Sequence, residues 1–225
     1  MIRWPIAPLF FSILFILVVA FLYFNRRLIM EKYFLWAGYK RAVSLFMADP
    51  ITNKDVVFLG DSITEAFPLS TLFPDVAIKN RGISGDTTAG VSRRLDRVTA
   101  VPPRQIFLMI GTNDLGFGYP KETVIANYDE ILRQIAQESP DTQVFVQSIL
   151  PRDKRYAADI SFVNQGIAVL AEKYNCVYID LFPAFADAAG GIGPEFSGDD
   201  LHLLNAGYEQ WHQIIAPYVY GSSRD

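Results

Sequence analysis

The sequence predicts a three-layer α/β/α sandwich around a parallel sheet of about five strands, preceded by an N-terminal transmembrane helix. The chain of 225 residues suffices for one full-sized domain but not for two domains and a linker. After Pro50, short β-branched runs alternate with helical stretches. Such alternation is typical of right-handed crossovers and of a parallel sheet covered on both faces. Before that point, twenty consecutive residues carry no charge.

The uncharged run covers residues 5–24, about the length of a helix that crosses a ~30 Å hydrocarbon layer. Trp4, Tyr23 and Phe24 stand at its ends, where aromatic residues are common in membrane helices. A cleaved secretory signal is the alternative, but the run exceeds the usual ~7–15 apolar residues and no A-x-A-like site follows it before Arg27. We therefore predict a transmembrane anchor over residues 1–27.

Residues 28–50 form a basic segment rich in aromatic side chains, which Asp49-Pro50 brings to an end. The segment suits either an amphipathic helix at the membrane surface or a helix packed on the domain, and both interpretations stay open. The predicted location of the protein is the membrane, through the single N-terminal helix. Cations after that helix favour a cytoplasmic C-terminal domain, with extracytoplasmic placement as the alternative.

The remaining residues, 51–225, form one predicted domain. Five apolar runs predict strands buried on both faces, over residues 56–59, 76–78, 106–110, 144–149 and 177–179. Helices are predicted over residues 88–98, 121–138, 157–174 and 205–217. Pro120 favours the start of the second of these helices, and Ser139-Pro140 favours its end.

In open parallel sheets, ligands bind beyond the carboxyl ends of the strands, so a site is expected in the loops that follow them. A serine nucleophile requires a base, a group that orients the base, and donors for the oxyanion. Four loops carry residues of these types: Gly60-Asp61-Ser62-Ile63, the segment from Arg81 to Thr87, Gly111-Thr112-Asn113-Asp114, and Asp199-Asp200-Leu201-His202.

His202 is the candidate base. It has carboxylates two and three positions before it in a polar loop, whereas the other histidine, His212, lies beside Trp211 within a predicted helix. Ser62 is the candidate nucleophile, because it follows a buried strand and precedes a short helical stretch. An ordinary helix cap is the alternative for this serine, since Ser62 and Glu65 fit a capping box.

Two further residues are candidate oxyanion donors. The side-chain amide of Asn113 could donate to the oxyanion, a contribution of typically ~3–4 kcal/mol, and a turn-forming asparagine is the alternative. Gly85 has no Cβ, so its main-chain N–H could approach the same atom, and a glycine required only by the turn is the alternative. Their joint occurrence at one edge of the predicted sheet favours a site.

Together the four loops resemble, in order and spacing, the sequence blocks of the SGNH (GDSL-type) hydrolases, a family with a flavodoxin-like α/β fold. The resemblance covers residues 55–217. It implies that Ser62 is the nucleophile and His202 the general base. It also implies that the N–H groups of Ser62 and Gly85 and the amide of Asn113 form the oxyanion hole.

The same resemblance implies that the acid of the catalytic triad is Asp199, three residues before the histidine. Many members carry glycine at the next position, where this chain has Asp200, so the two aspartates could exchange roles. Asp61 and Asp200 are therefore kept as possible supporting residues.

Within the family, residues 82–88, Leu150-Pro151-Arg152 and Leu201-His202-Leu203 resemble the platelet-activating-factor acetylhydrolase catalytic subunits and their bacterial relatives. This implies a serine ester hydrolase for acyl or acetyl esters, lysophospholipase- or short-chain-esterase-like, with a small-molecule or lipid ester as substrate. A carbohydrate O-acetylesterase is the alternative enzyme. A catalytically silent, membrane-anchored binding protein is the alternative of another class.

Three other kinds of ligand are not expected: a cofactor, a metal ion and nucleic acid. No cofactor and no metal are predicted, and two histidines ten residues apart without a Cys/His cluster argue against zinc. Nucleic acid is a poor partner, since residues 49–225 hold 23 acidic side chains against 14 basic ones. The single cysteine, Cys176, cannot form an intrachain disulfide and is expected in the core.

Overall fold

The computed structural model describes the main chain of residues 6–29 and 36–221. In chain order its helices and strands are α1 (Ile6–Ile29), α2 (Trp36–Ala48), β1 (Val56–Gly60), α3 (Ser62–Glu65), α4 (Leu69–Leu72), β2 (Ile78–Gly82), α5 (Thr88–Arg93), α6 (Asp96–Thr99), β3 (Gln105–Met109), α7 (Thr112–Gly116), α8 (Lys121–Glu138), β4 (Gln143–Gln147), α9 (Ala157–Lys173), β5 (Val177–Ile179), α10 (Phe182–Phe185) and α11 (Asn205–Val219).

The five strands form one sheet in the order β2-β1-β3-β4-β5, and every neighbouring pair is parallel. This confirms the predicted parallel α/β sheet. Because β1 lies between β2 and β3, the loops that follow these three strands are neighbours at one edge of the sheet. The order therefore brings three of the four polar loops together.

Each face of the sheet is covered by its own hydrophobic core. Val57 and Leu59 of β1 pack on the side of α5, α8 and α9. Val56 and Phe58 point to the opposite face, where they pack with residues of α3, α4 and α11, including the fully buried Trp211. The alternation within β1 follows the two-residue period of a strand, and both faces are apolar because helices cover both.

The two edge strands differ from the prediction. β2 begins two residues later than predicted and carries Lys79, Asn80 and Arg81, and its first three residues are only half buried. In β5, Val177 and Tyr178 are half buried. Each edge strand has one neighbour instead of two, so the prediction of strands buried on both faces holds for the inner strands alone.

The helix predicted over residues 88–98 is divided into α5 and α6. Arg94 ends α5 with a φ of −120°, and its side chain, 2% exposed, turns into the protein toward Asp86. A buried ion pair thus overrides the helical pattern at this point. The predicted helix over residues 121–138 is confirmed without change as α8.

The N-terminal predictions require correction. Within the part of the chain that the structure describes, no helix is long and apolar enough to cross a membrane. This contradicts the predicted membrane localisation, and the transmembrane anchor over residues 1–27 and the membrane as a partner are not supported. Residues 1–5 of the predicted anchor lie outside the described residues.

Residues 30–35 of the predicted segment 28–50 lie outside the described residues. Its later part is α2, which contacts the domain. The Arg81 guanidinium lies 4.7 Å from the centre of the Phe46 ring, and the Tyr39 hydroxyl donates to the carbonyl of Gly90 at 3.4 Å. These contacts agree with the interpretation of residues 36–48 as a helix packed on the domain.

Candidate active site

The candidate nucleophile stands at the first position of a helix. β1 ends at Gly60, Asp61 caps α3, and Ser62 is the first residue of that helix. The Asp61 carboxylate accepts the amide of Ile63 at 3.0 Å, so the capping role falls to Asp61. The capping box that Ser62 and Glu65 could form is therefore not the local structure, and the Ser62 hydroxyl is left for another partner.

That partner is His202. The Ser62 Oγ lies 3.1 Å from the Nε2 of His202, although 140 residues separate the two. The Nδ1 of the same imidazole lies 2.7 Å from the Oδ2 of Asp199. A carboxylate accepts at Nδ1, so the proton belongs on Nδ1 and the lone pair of Nε2 faces the serine hydroxyl. This arrangement can remove a proton from Ser62.

Asp199 is held by several donors. Its Oδ1 accepts the main-chain amides of Leu201 at 3.0 Å and His202 at 2.7 Å, and the Ser197 hydroxyl at 3.2 Å. The bond from His202, with smaller contributions from the amides, lowers the pKa of Asp199 to about 2. The carboxylate is therefore ionised at neutral pH. Its side chain is 56% exposed and that of His202 50%, so this acid–base pair is open to solvent.

Asp200 takes a different position. It adopts a left-handed conformation with a φ of +60°, and its carbonyl accepts the amide of Asp153 at 2.9 Å. This left-handed residue turns the chain between Asp199 and His202, so that the Asp199 carboxylate faces the imidazole. The geometry favours Asp199 over Asp200 as the partner of His202.

The two candidate oxyanion donors lie on adjacent loops. Gly85 follows β2 with a φ of +74°, a conformation that side-chain-bearing residues rarely adopt. Asn113 lies in α7, just after β3, and its Nδ2 donates to the carbonyl of Asp86 at 2.9 Å. One amide hydrogen of Asn113 is thereby used to fix the side chain against the Gly85 loop, and the second remains for a ligand.

A buried arginine that the sequence analysis did not identify connects these loops. The Nε of Arg94 donates to the Asp86 carboxylate at 2.9 Å, and its Nη2 donates to the carbonyl of Gly60 at 3.1 Å. Arg94 thus joins Asp86, which follows Gly85, to Gly60, which lies two positions before Ser62. The only sequence signal for it is a cation in a pattern of apolar helix positions, which by itself does not indicate a site.

Three buried aspartates lie beneath the site. Burial raises the pKa of Asp61 to about 7, with smaller contributions from the charges of Asp86 and Asp114. Burial also raises the pKa of Asp86, which Arg94 partly offsets, and that of Asp114, which the hydroxyl and amide of Thr88 partly offset. The region below the nucleophile is therefore acidic and poorly solvated.

Among the residues that the structure describes, no group of three or more His, Cys, Asp or Glu side chains is placed to hold a metal ion. The second histidine, His212, packs edge-on against the Phe73 ring at 4.7 Å. Its contact is with an aromatic ring of the core, and no polar loop residue is needed to hold it.

Comparison with known proteins gives a consistent result. The sequence profile of the GDSL-like lipase/acylhydrolase family matches residues 58–210. The chain is 29% identical to human platelet-activating factor acetylhydrolase IB subunit alpha1 over 174 residues, 72% of this chain and 74% of the human protein. A chicken homologue, the alpha2 subunit, is 29% identical over 175 residues, 72% of this chain and 76% of that protein.

Solved structures share the fold. A Streptococcus pneumonia protein, described as a platelet activating factor candidate, matches with a TM-score of 0.75 and 30% identity over 85% of this chain and 97% of its own. A GDSL-like lipase from Bacteroides thetaiotaomicron matches with a TM-score of 0.74 and 22% identity, over 83% of this chain and 99% of its own. At 22% identity, the match to the Bacteroides protein shows a shared fold and nothing more.

Proposed function

The chain belongs to the GDSL-like lipase/acylhydrolase family, and on that premise we propose that it hydrolyses acetyl and other short acyl esters with Ser62, His202 and Asp199 as its catalytic residues. The observation that carries the proposal is the continuous chain of hydrogen bonds from the Ser62 hydroxyl through the His202 ring to the Asp199 carboxylate. Residues 51–225 would form the catalytic domain.

The proposed reaction is acyl transfer in two steps. The Ser62 Oγ attacks the ester carbonyl carbon while the His202 Nε2 takes the hydroxyl proton, and the imidazolium then gives that proton to the departing alcohol. A water molecule, deprotonated by His202, attacks the acyl-serine, and the carboxylic acid leaves as Ser62 regains its proton. The ionised Asp199 keeps the imidazole in the required tautomer and stabilises the imidazolium.

The negative charge that develops on the carbonyl oxygen requires donors. We assign this task to the N–H groups of Ser62 and Gly85 and to the free amide hydrogen of Asn113. Two features support the assignment: Ser62 N–H lies in the first turn of α3, where helix amides are not used within the helix, and Asn113 already contacts the Gly85 loop.

The substrate class is the finer part of the proposal. The two vertebrate relatives are named as acetylhydrolases, which supports a small acyl group. The exposed His202 and Asp199 side chains give water direct access to an acyl-enzyme, as ester hydrolysis requires. A lysophospholipid and an O-acetylated carbohydrate are the two substrates against which a simple short-chain ester has to be compared.

The test is a substrate panel with the purified full-length chain: p-nitrophenyl acetate, butyrate and octanoate, lysophosphatidylcholine, and acetylated xylo-oligosaccharides. Ser62→Ala is compared with Ser70→Ala, a serine exposed on α4. We expect acetate and butyrate to be hydrolysed faster than octanoate, a loss of several orders of magnitude in Ser62→Ala, and wild-type rates in Ser70→Ala. Undiminished hydrolysis by Ser62→Ala would contradict the proposed nucleophile.

A further inference from the structure

Glu65 directs its side chain away from its own helix. It lies three positions after Ser62, where the sequence pattern predicts a carboxylate that folds back to cap α3. Because Asp61 caps α3, the Glu65 carboxylate is not used as the cap. Its Oε2 instead accepts the main-chain amide of Ser84 at 2.8 Å and the Ser84 hydroxyl. A residue of the nucleophile helix thus holds the loop after β2.

The residue held in this way immediately precedes Gly85. Fixing both the main-chain amide and the hydroxyl of Ser84 restricts the rotations that set the next peptide plane, which carries the Gly85 N–H. The turn from Ile83 to Asp86 is closed by a hydrogen bond from the Asp86 N–H to the Ile83 carbonyl at 3.0 Å, and Gly85 within it has a φ of +74°. The two contacts of Ser84 with Glu65 add a side-chain restraint on the peptide plane that carries the Gly85 N–H.

The helix does not need this carboxylate in order to stay in place. The Asn80 side-chain amide of β2 donates to the carbonyls of Thr64 at 2.7 Å and Glu65 at 3.2 Å. The Tyr208 hydroxyl of α11 donates to the carbonyl of Ile63 at 3.1 Å. A Cβ added at Gly82 would overlap the main chain of Glu65, so β2 and α3 already lie in direct contact.

We propose that Glu65 is a positioning residue that sets the Gly85 arm of the oxyanion hole through Ser84. This inference rests on the proposed function and adds to it a residue that acts without touching the substrate. A mispositioned donor weakens the transition state more than the bound substrate, because the oxyanion exists only in the former. The effect of losing Glu65 should therefore appear in kcat and leave KM unchanged.

The experiment measures kcat, KM and thermal unfolding for Glu65→Ala, Glu65→Gln and Glu122→Ala on p-nitrophenyl acetate. Glu122 is the matched control, since it is also an exposed glutamate in the first turn of a helix. We expect Glu65→Ala to lose about 10- to 100-fold in kcat with unchanged KM and midpoint of unfolding. Glu65→Gln, whose amide oxygen can still accept the Ser84 amide, should recover most of the rate, and Glu122→Ala should match wild type.

A second pair of variants separates positioning from folding. Ser84→Ala removes the hydroxyl contact alone, so it should reduce kcat less than Glu65→Ala and cause no further loss in the Glu65→Ala background. Wild-type kcat in Glu65→Ala, or a loss in Glu65→Ala that tracks the unfolding midpoint and that glutamine does not rescue, would overturn the inference. Wild type and Ser62→Ala are measured alongside: equal rates in these two would refute the proposed function itself.

Discussion

Asp199 and His202 are joined by two hydrogen bonds, one from the imidazole Nδ1 to Oδ2 and one from the histidine's own main-chain amide to Oδ1, each 2.7 Å long. A single carboxylate therefore fixes both the ring and the backbone of the candidate base. Since only three residues separate the two positions, the turn that places them together is set locally. The left-handed Asp200 between them makes that turn possible.

Replacement of the two aspartates one at a time decides which of them is the triad acid. Asp199→Asn should lower kcat about 10³- to 10⁴-fold, because an amide can stabilise the wrong tautomer of His202 and cannot balance the imidazolium charge. Asp200→Asn is the matched control and should stay within about threefold of wild type, since its carbonyl rather than its carboxylate is used. Steady-state kinetics on p-nitrophenyl acetate measure both, and a larger loss in Asp200→Asn would reverse the assignment.

Removal of the Asn113 amide tests the second arm of the oxyanion hole. We expect Asn113→Ala to lower kcat by ~100- to 1000-fold with little change in KM, the size typical of one lost oxyanion donor. Asn205→Ala, which changes an exposed asparagine at the start of α11, serves as the control and should retain wild-type kinetics. A comparable loss in both variants would argue against a specific role for Asn113.

The buried Arg94–Asp86 pair should be important for stability. Arg94→Ala leaves the Asp86 carboxylate buried without its counter-ion, so the free energy of unfolding should fall by about 3–5 kcal/mol. Arg133→Ala breaks an exposed pair with Glu130, which solvent screens, and should leave the stability close to that of wild type. Urea unfolding of the two variants gives both values, and similar small losses would show that the buried pair contributes no more than a surface one.

The raised pKa of Asp61 predicts a pH dependence of stability. Folded Asp61 keeps its proton up to about pH 7, whereas in the unfolded chain the group releases it near ~4. Between these values the folded state holds more protons, so this group lowers the free energy of unfolding as the pH rises. Above pH 7 the loss is complete.

Asp61→Asn removes the titratable carboxyl group. The side-chain oxygen of the asparagine can still accept the amide of Ile63. Relative to wild type, the variant should therefore be more stable at pH 8 than at pH 5, by up to a few kcal/mol. Urea unfolding at the two pH values measures the difference. An equal difference between variant and wild type at both pH values would show that Asp61 is ionised throughout.

Much of the fold and the candidate site could be predicted from the sequence. The inner strands are apolar on both faces and the helix from Lys121 to Glu138 has clear end signals, so local pattern and tertiary structure agree there. The polar loops after β1, β2 and β3 lie next to each other at one edge of the sheet, because strand order in a parallel sheet determines which loops are neighbours. Position in the fold, more than any single residue, indicated that Ser62, Gly85 and Asn113 lie on neighbouring loops, and their roles stay predictions.

The rest depended on contacts between distant residues. β2 is polar because Asn80 binds α3 and Arg81 binds Asp49, and neither partner is visible in the local pattern. Arg94 ends a helix that its neighbours would continue, since its charge pairs with Asp86. For Glu65 the sequence indicated the wrong partner, because either Asp61 or Ser62 could have served as the cap. The membrane localisation depended on the N-terminal run alone, and the described residues contradict it.

The central claim, that Ser62 is a nucleophile activated by His202, is tested most directly by covalent labelling. The full-length protein is incubated with a fluorophosphonate, and the modified residue is located by peptide mass spectrometry in wild type and in His202→Ala. We predict one adduct per chain, on Ser62, with labelling slowed by several orders of magnitude in His202→Ala. An ester-hydrolysing protein that carries its adduct on another residue, or that labels Ser62 equally fast without His202, would contradict the claim.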